Sequence, residues 1–120
     1  MDPRYPVGKF EMPAGVTPAM RQVAIEEITA APGKIRAAIA GLDDAQHAAP
    51  EVSLRLLEPL HERWVRLLKT LTPQQFARPV RHPESGLKNV DWLLFLYAWH
   101  SRHHTAHITE LRKQKGWSQQ

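Results

Sequence analysis

Four of the chain's seven histidines fall within nine residues, Trp99-His100-Ser101-Arg102-His103-His104-Thr105-Ala106-His107. His100 and His104 are four apart, and so are His103 and His107. On an α-helix, residues at i and i+4 lie one turn apart on the same face. Two imidazoles at that spacing can share one metal ion. A lone histidine on an apolar helix face is ordinarily a hydrogen-bonded core residue. Several on one stripe each need a polar partner when buried, and a single ion satisfies more than one of them. Spacing alone leaves two other readings open, a hydrogen-bonded cluster and a solvated face.

The flanking residues predict that this stretch is helical. From Leu93 the steps to Tyr97, His100, His104, His107 and Leu111 are four, three, four, three and four, the stripe of an amphipathic helix. This reading places His100, His104 and His107 on the face that Leu93, Tyr97 and Leu111 turn into the core. His103 falls beside it, with Leu96 and Trp99. His100 and His104 are therefore the preferred ligand pair, ahead of His103 and His107. Asn89 or Asp91 caps the start of this helix, and Gly116 stops it after Arg112, Lys113 and Lys115.

Upstream, prolines and glycines punctuate the chain. Residues 1–16 carry Pro3, Pro6, Gly8, Pro13 and Gly15 and read as an extended arm. Thr17-Pro18 is a helix start, an N-cap followed by proline in the first turn. Met20, Val23, Ile28, Ile35 and Ile39 give this helix a loose period, Pro32-Gly33 should kink or break it, and Gly41 ends it. Residues 43–52 read as a turn, with Ser53 capping a second helix. Its stripe is Leu56, Leu57, Leu60, Trp64, Leu67, Leu68 and Leu71, and Pro59 should bend its first turns. Thr72-Pro73 opens a short helical turn through Phe76, and residues 78–88 read as a loop. The expected fold is all-α, a single domain over 1–120 with long helices near 17–41, 53–71 and 89–115.

Composition narrows the function classes. A chain of 120 residues suits one domain with a modest core. It has no cysteine, so disulfides, thiolate ligands and a catalytic thiol are excluded, as suits a reducing cytoplasm. The N-terminus is polar and proline-rich and no apolar run approaches membrane length, so neither a signal peptide nor a membrane span is expected. The net charge of +4 invites a nucleic-acid reading. Interspersed acids, as in Glu58-Pro59-Leu60-His61-Glu62-Arg63, argue against it. The cluster Arg112-Lys113-Gln114-Lys115 suits a helix C-terminus instead.

Several segments together carry a family resemblance: Arg4-Tyr5-Pro6-Val7-Gly8, Val52-Ser53-Leu54 through Leu60-His61-Glu62-Arg63-Trp64, His82-Pro83-Glu84-Ser85-Gly86, and above all Tyr97-Ala98-Trp99-His100-Ser101-Arg102-His103-His104-Thr105-Ala106-His107-Ile108. The chain resembles the YfiT-type members of the DinB superfamily. The resemblance implies a four-helix bundle described as a metal-dependent hydrolase, with relatives that transfer bacillithiol or similar low-molecular-weight thiols. It implies a nickel or zinc ion held by three histidines, two of them from the His-x-x-x-His that matches His100 and His104.

One departure stands out. In the family, a segment with a Trp-Thr-x-Arg-Gln sequence and a histidine-bearing second helix precedes the Val-Ser-Leu stretch. Here Leu42-Asp43-Asp44-Ala45-Gln46 passes almost directly to Pro50-Glu51-Val52-Ser53-Leu54. The expectation is an incomplete DinB-like bundle of three main helices with two of three ligands, and with Leu56, Leu60, Leu67 and Leu94 in need of another partner. His61 borders the stripe of its helix and is a substitute third ligand or a hydrogen-bonding residue. His47, in the turn, is a weaker substitute. His82 reads as structural, and Glu110 as a solvated carboxylate or an acceptor behind the histidines. The resulting expectations are a divalent ion (zinc or nickel), a small-molecule thiol or electrophile as substrate, a cytoplasmic homodimer, and no nucleic-acid or membrane partner. The alternative is a non-catalytic dimerisation or metal-binding remnant.

Overall fold

The computed structural model describes residues 4–40 and 44–116, the side chains of 44–52 excepted. Three long helices form: α1 (Pro18–Ile39), α2 (Asp44–Thr70) and α4 (Val90–Lys115). A single-turn helix, α3 (Pro73–Phe76), and a two-stranded hairpin, β1 (Pro79–His82) and β2 (Gly86–Asn89), lie between α2 and α4.

Local chemistry sets most of the boundaries. Thr17 caps α1, its hydroxyl accepting from the Met20 N–H at 3.2 Å. Thr72 and Gln75 form a reciprocal capping box on α3. Asn89 Oδ1 accepts from the Trp92 N–H at 2.8 Å and starts α4. Gly116 ends α4 in the left-handed region at φ 67°, where a side chain would be strained.

Four local expectations are corrected. α1 runs unbroken through Pro32. Burial of Ile28, Ala31 and Pro32 against the core outweighs the one backbone hydrogen bond that proline removes. α2 begins at Asp44, upstream of Ser53, with Pro59 lying inside it as expected; the alanine-rich Ala45-Gln46-His47-Ala48-Ala49 is a good helix former. The supposed loop at 78–88 is an antiparallel hairpin with Val80 opposite Lys88 and His82 opposite Gly86. Its turn closes because His82 Nδ1 accepts the N–H groups of Glu84 (3.2 Å) and Ser85 (3.1 Å), which bears out a structural role for His82. Val23, expected on the packed face of α1, is exposed.

The core centres on α1. Ala24, Ile25 and Ile28 pack against Val65 and Leu68 of α2, Phe76 of α3, and Leu94 and Ala98 of α4. Each such large aliphatic side chain, fully buried, contributes about 1.5–3 kcal/mol. Two ionic contacts fix the direction of the helices. Arg21, near the start of α1, grips Asp91, at the start of α4, with Nε–Oδ1 at 2.7 Å and Nη2–Oδ2 at 2.9 Å. At the far end, buried Arg112 of α4 donates to the carbonyls of Ala38 and Ala40, capping the C-terminus of α1. So α1 and α4 run parallel, and α2, tied to α1 by the Arg36–Glu58 pair, runs back between their ends.

Only one side of the leucine-rich stripe of α2 packs on the core: Leu68 is buried there, with Trp64 and Leu71 packed against it. Leu54, Val65 and Leu68 are buried, whereas Leu56, Leu60 and Leu67 are 73%, 63% and 59% exposed. Leu94, expected to lack a partner, is buried.

Candidate metal centre

α4 also has two apolar faces, and the histidines lie on the one turned away from α1. Asp91, Leu94, Ala98 and Arg112 are its buried residues. At 100° per residue, the four histidines sit roughly 140° to 240° around the helix from Ala98. His100 and His104 are exposed, as are Tyr97 and Leu111; His103 and His107 are half-buried. The expectation that Leu93, Tyr97 and Leu111 point into the core is therefore corrected for Tyr97 and Leu111; Leu93 is half-buried. Ala98 is small and lets α4 approach α1 closely on the Leu94–Ala98 side, so that face packs and the bulkier Leu–Tyr–His stripe does not.

Both i, i+4 pairs close up. Nε2 of His104 is 3.0 Å from Nε2 of His100, and Nε2 of His107 is 3.2 Å from Nε2 of His103. Two imidazole nitrogens on one tetrahedral zinc, each at 2.0–2.1 Å, would be about 3.3 Å apart. Each pair thus has the separation of two donors to one ion, and the same spacing allows one neutral ring to donate to the other.

The environments of the pairs differ. His103 stacks on Trp99, with centroids 4.6 Å apart and planes 16° apart, and Tyr5 of the N-terminal arm lies 6.0 Å away. The arm is held there by Trp99 Nε1 donating to Gly8 O at 3.0 Å and by Phe10 against Trp92. Nδ1 of His103 is buried and has no hydrogen-bond partner. If His103 Nε2 bound a metal, Nδ1 would have to carry the proton, leaving a buried donor unsatisfied at a cost of about 1–3 kcal/mol. His100 and His104 carry no such penalty. Dehydration among the neighbouring rings holds the His100 imidazolium below its usual range, although the residue as a whole is exposed, and the charge on His104 adds to this. His103 is lowered by burial first, then by His107, His104 and His100. Both rings are thereby favoured in the neutral form that a metal requires.

The substitute ligands are not brought to the cluster. His61 Nδ1 donates to Leu57 O at 3.1 Å, and the rings of Trp64 and Tyr97 stand between His61 and His100. His47 lies in α2 with its side chain outside the described residues. Among the described residues, no group of three or more His, Cys, Asp or Glu side chains is placed to hold a metal ion. The aromatic wall of Tyr5, Phe10, Trp92 and Trp99 escaped the sequence reading, because the arm and α4 are far apart in the chain. A cavity of about 300 Å³ lies behind that wall, between the arm, α1 and α4, and is lined by Phe10, Val23, Phe95 and Trp99 rather than by histidines.

A helical bundle whose last helix displays a His-x-x-x-His pair beside a docked N-terminal arm defines the class. The DinB superfamily model matches residues 11–108, and the chain belongs to that superfamily. Over 78 residues it is 51% identical to a Bacillus subtilis protein named "Putative metal-dependent hydrolase YfiT", a match covering 64% of this chain and 44% of that protein. An Oceanobacillus iheyensis protein given the same functional name is 49% identical over 67 residues, covering 56% and 39%. The chain thus spans less than half the length of the curated relatives it matches. A solved structure of YfiT from Bacillus subtilis, described as a probable metal-dependent hydrolase with an unusual four-helix bundle topology, superposes with a TM-score of 0.85 at 27% identity, covering 98% of this chain and 100% of that one.

Proposed function

We propose that this chain is a divalent-metal protein of the hydrolase or low-molecular-weight thiol transferase kind, with His100 and His104 as its metal ligands. The observation that carries this reading is the 3.0 Å separation of their Nε2 atoms on an exposed face. The names of the relatives, metal-dependent hydrolases, support the divalent ion. Zinc and nickel both suit imidazole nitrogen. A bound ion would supply a lowered pKa to a water or an external thiol. The chain's own residues would orient and confine: Tyr97 and Trp99 wall the pair, and the α2 leucines offer an apolar surface to a small electrophile. A cysteine-free chain calls for a thiol from outside.

The fit extends to two donors, whereas a catalytic zinc site usually has three protein ligands and an open position. We infer that the histidine-bearing segment expected between α1 and α2 is absent, since α1 ends at Ile39 and α2 begins at Asp44. The exposure of Leu56, Leu60 and Leu67 favours a second reading, a non-catalytic remnant that self-associates or stores metal. Among the described residues no helix is long and apolar enough to cross a membrane; a cytoplasmic location is part of the proposal.

Elemental analysis of the purified chain, followed by hydrolase and thiol-transfer assays with zinc or nickel present, separates the readings. Bound metal with turnover supports the enzyme. Bound metal without turnover supports the remnant. Failure to retain or take up either metal would defeat both assignments of His100 and His104.

A further inference from the structure

The apolar period of α1 is only partly used by the core. Ile25 and Ile28 enter it, whereas Met20 is half-buried and Val23 is 55% exposed. Both of these side chains instead line the cavity of about 300 Å³ between the arm, α1 and α4, at the lower end of the range for small-molecule sites. Val7 of the arm, 42% exposed, lines it too. Three aromatic rings join these aliphatic groups: Phe10 from the arm, and Phe95 and Trp99 from α4. Phe10 and Trp99 stand 5.9 Å apart with planes 52° apart, so together they offer an inserted ring both a face and an edge.

The polar lining is balanced. Lys9 and Arg102 bring two positive charges, and Glu11 and Glu27 two negative ones. An ionised ligand would therefore meet a like charge for every opposite one. Arg102 of α4 donates through Nη1 to Oε2 of Glu27 in α1. Among the described residues, that contact leaves Glu27 Oε1 to accept and the other Arg102 N–H groups to donate. A neutral hydroxyl, which both donates and accepts, suits such a pair.

The arm supplies a cover. Its lining residues Lys9, Phe10, Glu11 and Pro13 are bounded by Gly8 and Gly15, at φ 80° and 63°, dihedrals that residues with side chains resist. The two glycines let this segment fold over the cavity, and Trp99 Nε1 pins it by donating to Gly8 O at 3.0 Å. Because that N–H is already engaged, Trp99 offers a ligand its ring.

We propose that this cavity binds a small neutral phenol, its ring among Phe10, Phe95 and Trp99 and its hydroxyl on the Glu27–Arg102 pair. The site is separate from the histidine pair. Ala98, Arg102, Phe95 and Trp99 span roughly 0° to 100° around α4, whereas His100 and His104 lie at roughly 200° and 240°. It stands whether or not those histidines hold a metal. Trp99 is common to both regions, lining the cavity and stacking on His103.

The test uses the full chain in EDTA, so that no metal can take the phenol, with 4-methylphenol as the probe. Nitrogen–proton correlation NMR follows the indole N–H signals of Trp99 and Trp64. The Trp99 signal should shift saturably, with one probe per chain, while that of Trp64, beside Tyr97 on the α2–α4 face, stays in place. Val23→Trp, at an exposed lining position, should keep the circular dichroism and weaken binding about tenfold or more. Phe10→Ala, on the arm and outside the core, should weaken it similarly. Toluene, which lacks the hydroxyl, should bind about fivefold more weakly. A Trp99 shift that never saturates, or a larger response at Trp64, would overturn the site, as would binding unchanged in both variants. Toluene binding as tightly as 4-methylphenol would overturn the phenol as the ligand class.

Discussion

The two histidine pairs have nearly equal internal geometry, so what distinguishes them is the second nitrogen of each ring. His103 has its Nδ1 buried without a partner, and metal on Nε2 would force a proton onto that atom. His104→Ala is therefore expected to weaken zinc or nickel binding about tenfold or more, a loss of about 1.4 kcal/mol, and His103→Ala to change it little. Isothermal titration of both variants makes the comparison. A larger loss in His103→Ala would move the site to His103 and His107. The direction of the imidazole shifts yields a second expectation. His100 and His103 lie below the ordinary histidine value when folded, so below about pH 6.5 the unfolded chain binds more protons than the folded one. Stability then falls as pH drops through about 6.5 toward the lower folded values and is level above it. Thermal unfolding in EDTA between pH 8 and 5 should show this fall, and replacing both rings together, His100→Asn with His103→Asn, should flatten it. An unchanged slope in that double variant would assign the pH dependence to other groups.

At the scale of elements, the parallel arrangement of α1 and α4 depends on its two ends. Arg21 and Asp91 are 14% and 8% exposed in their side chains and make a two-pronged contact, while Arg21 also covers the Phe76 ring at 4.9 Å. Removing one partner of a buried pair leaves the other charged and unpaired, at about 3–5 kcal/mol. Arg21→Ala should thus lower Tm by about 10 °C or more. Replacing both, Arg21→Met with Asp91→Leu, should recover most of that loss, because two apolar side chains need no ionic partner. Differential scanning calorimetry of the single and double variants tests the difference; equal destabilisation in both would mean that packing, not charge, holds this corner.

For the whole molecule, the decisive feature is that α2 and α4 each carry an apolar stripe that α1 does not cover. Leu56, Leu60 and Leu67 lie on a surface joined to α4 through Trp64 and Tyr97. Surfaces of this sort are interaction sites or aggregation liabilities. Leu60→Gln with Leu67→Gln should leave the unfolding free energy of the monomer within about 0.5 kcal/mol per site, since neither side chain is buried, yet reduce self-association and the binding of a hydrophobic dye. A clean monomer in the unaltered chain at high concentration, with no dye bound, would contradict this.

Much of this was legible in the chain itself. Thr17-Pro18, Thr72-Pro73, Asn89 and Gly116 mark helix ends through local hydrogen bonds and allowed dihedrals, which need no distant partner. The i, i+4 spacing of His100 and His104 fixes their closeness on any helix, and the run from Tyr97 to Ile108 is distinctive enough to point to the family. Tertiary structure alone decided which face of α2 and of α4 packs. Each helix has two stripes of comparable apolarity, and periodicity reports that a stripe exists but not which neighbour covers it. Val65, Leu68, Leu94 and Ala98 won the contact with α1, and the more conspicuous Leu56, Leu60, Leu67 and Tyr97 were left outside. The continuity of α1 through Pro32 was decided in the same way, because burial against the core exceeded the local cost of proline. The wall of Tyr5 and Trp99 around His103 joins residues whose contact exists only once the arm folds back onto α4.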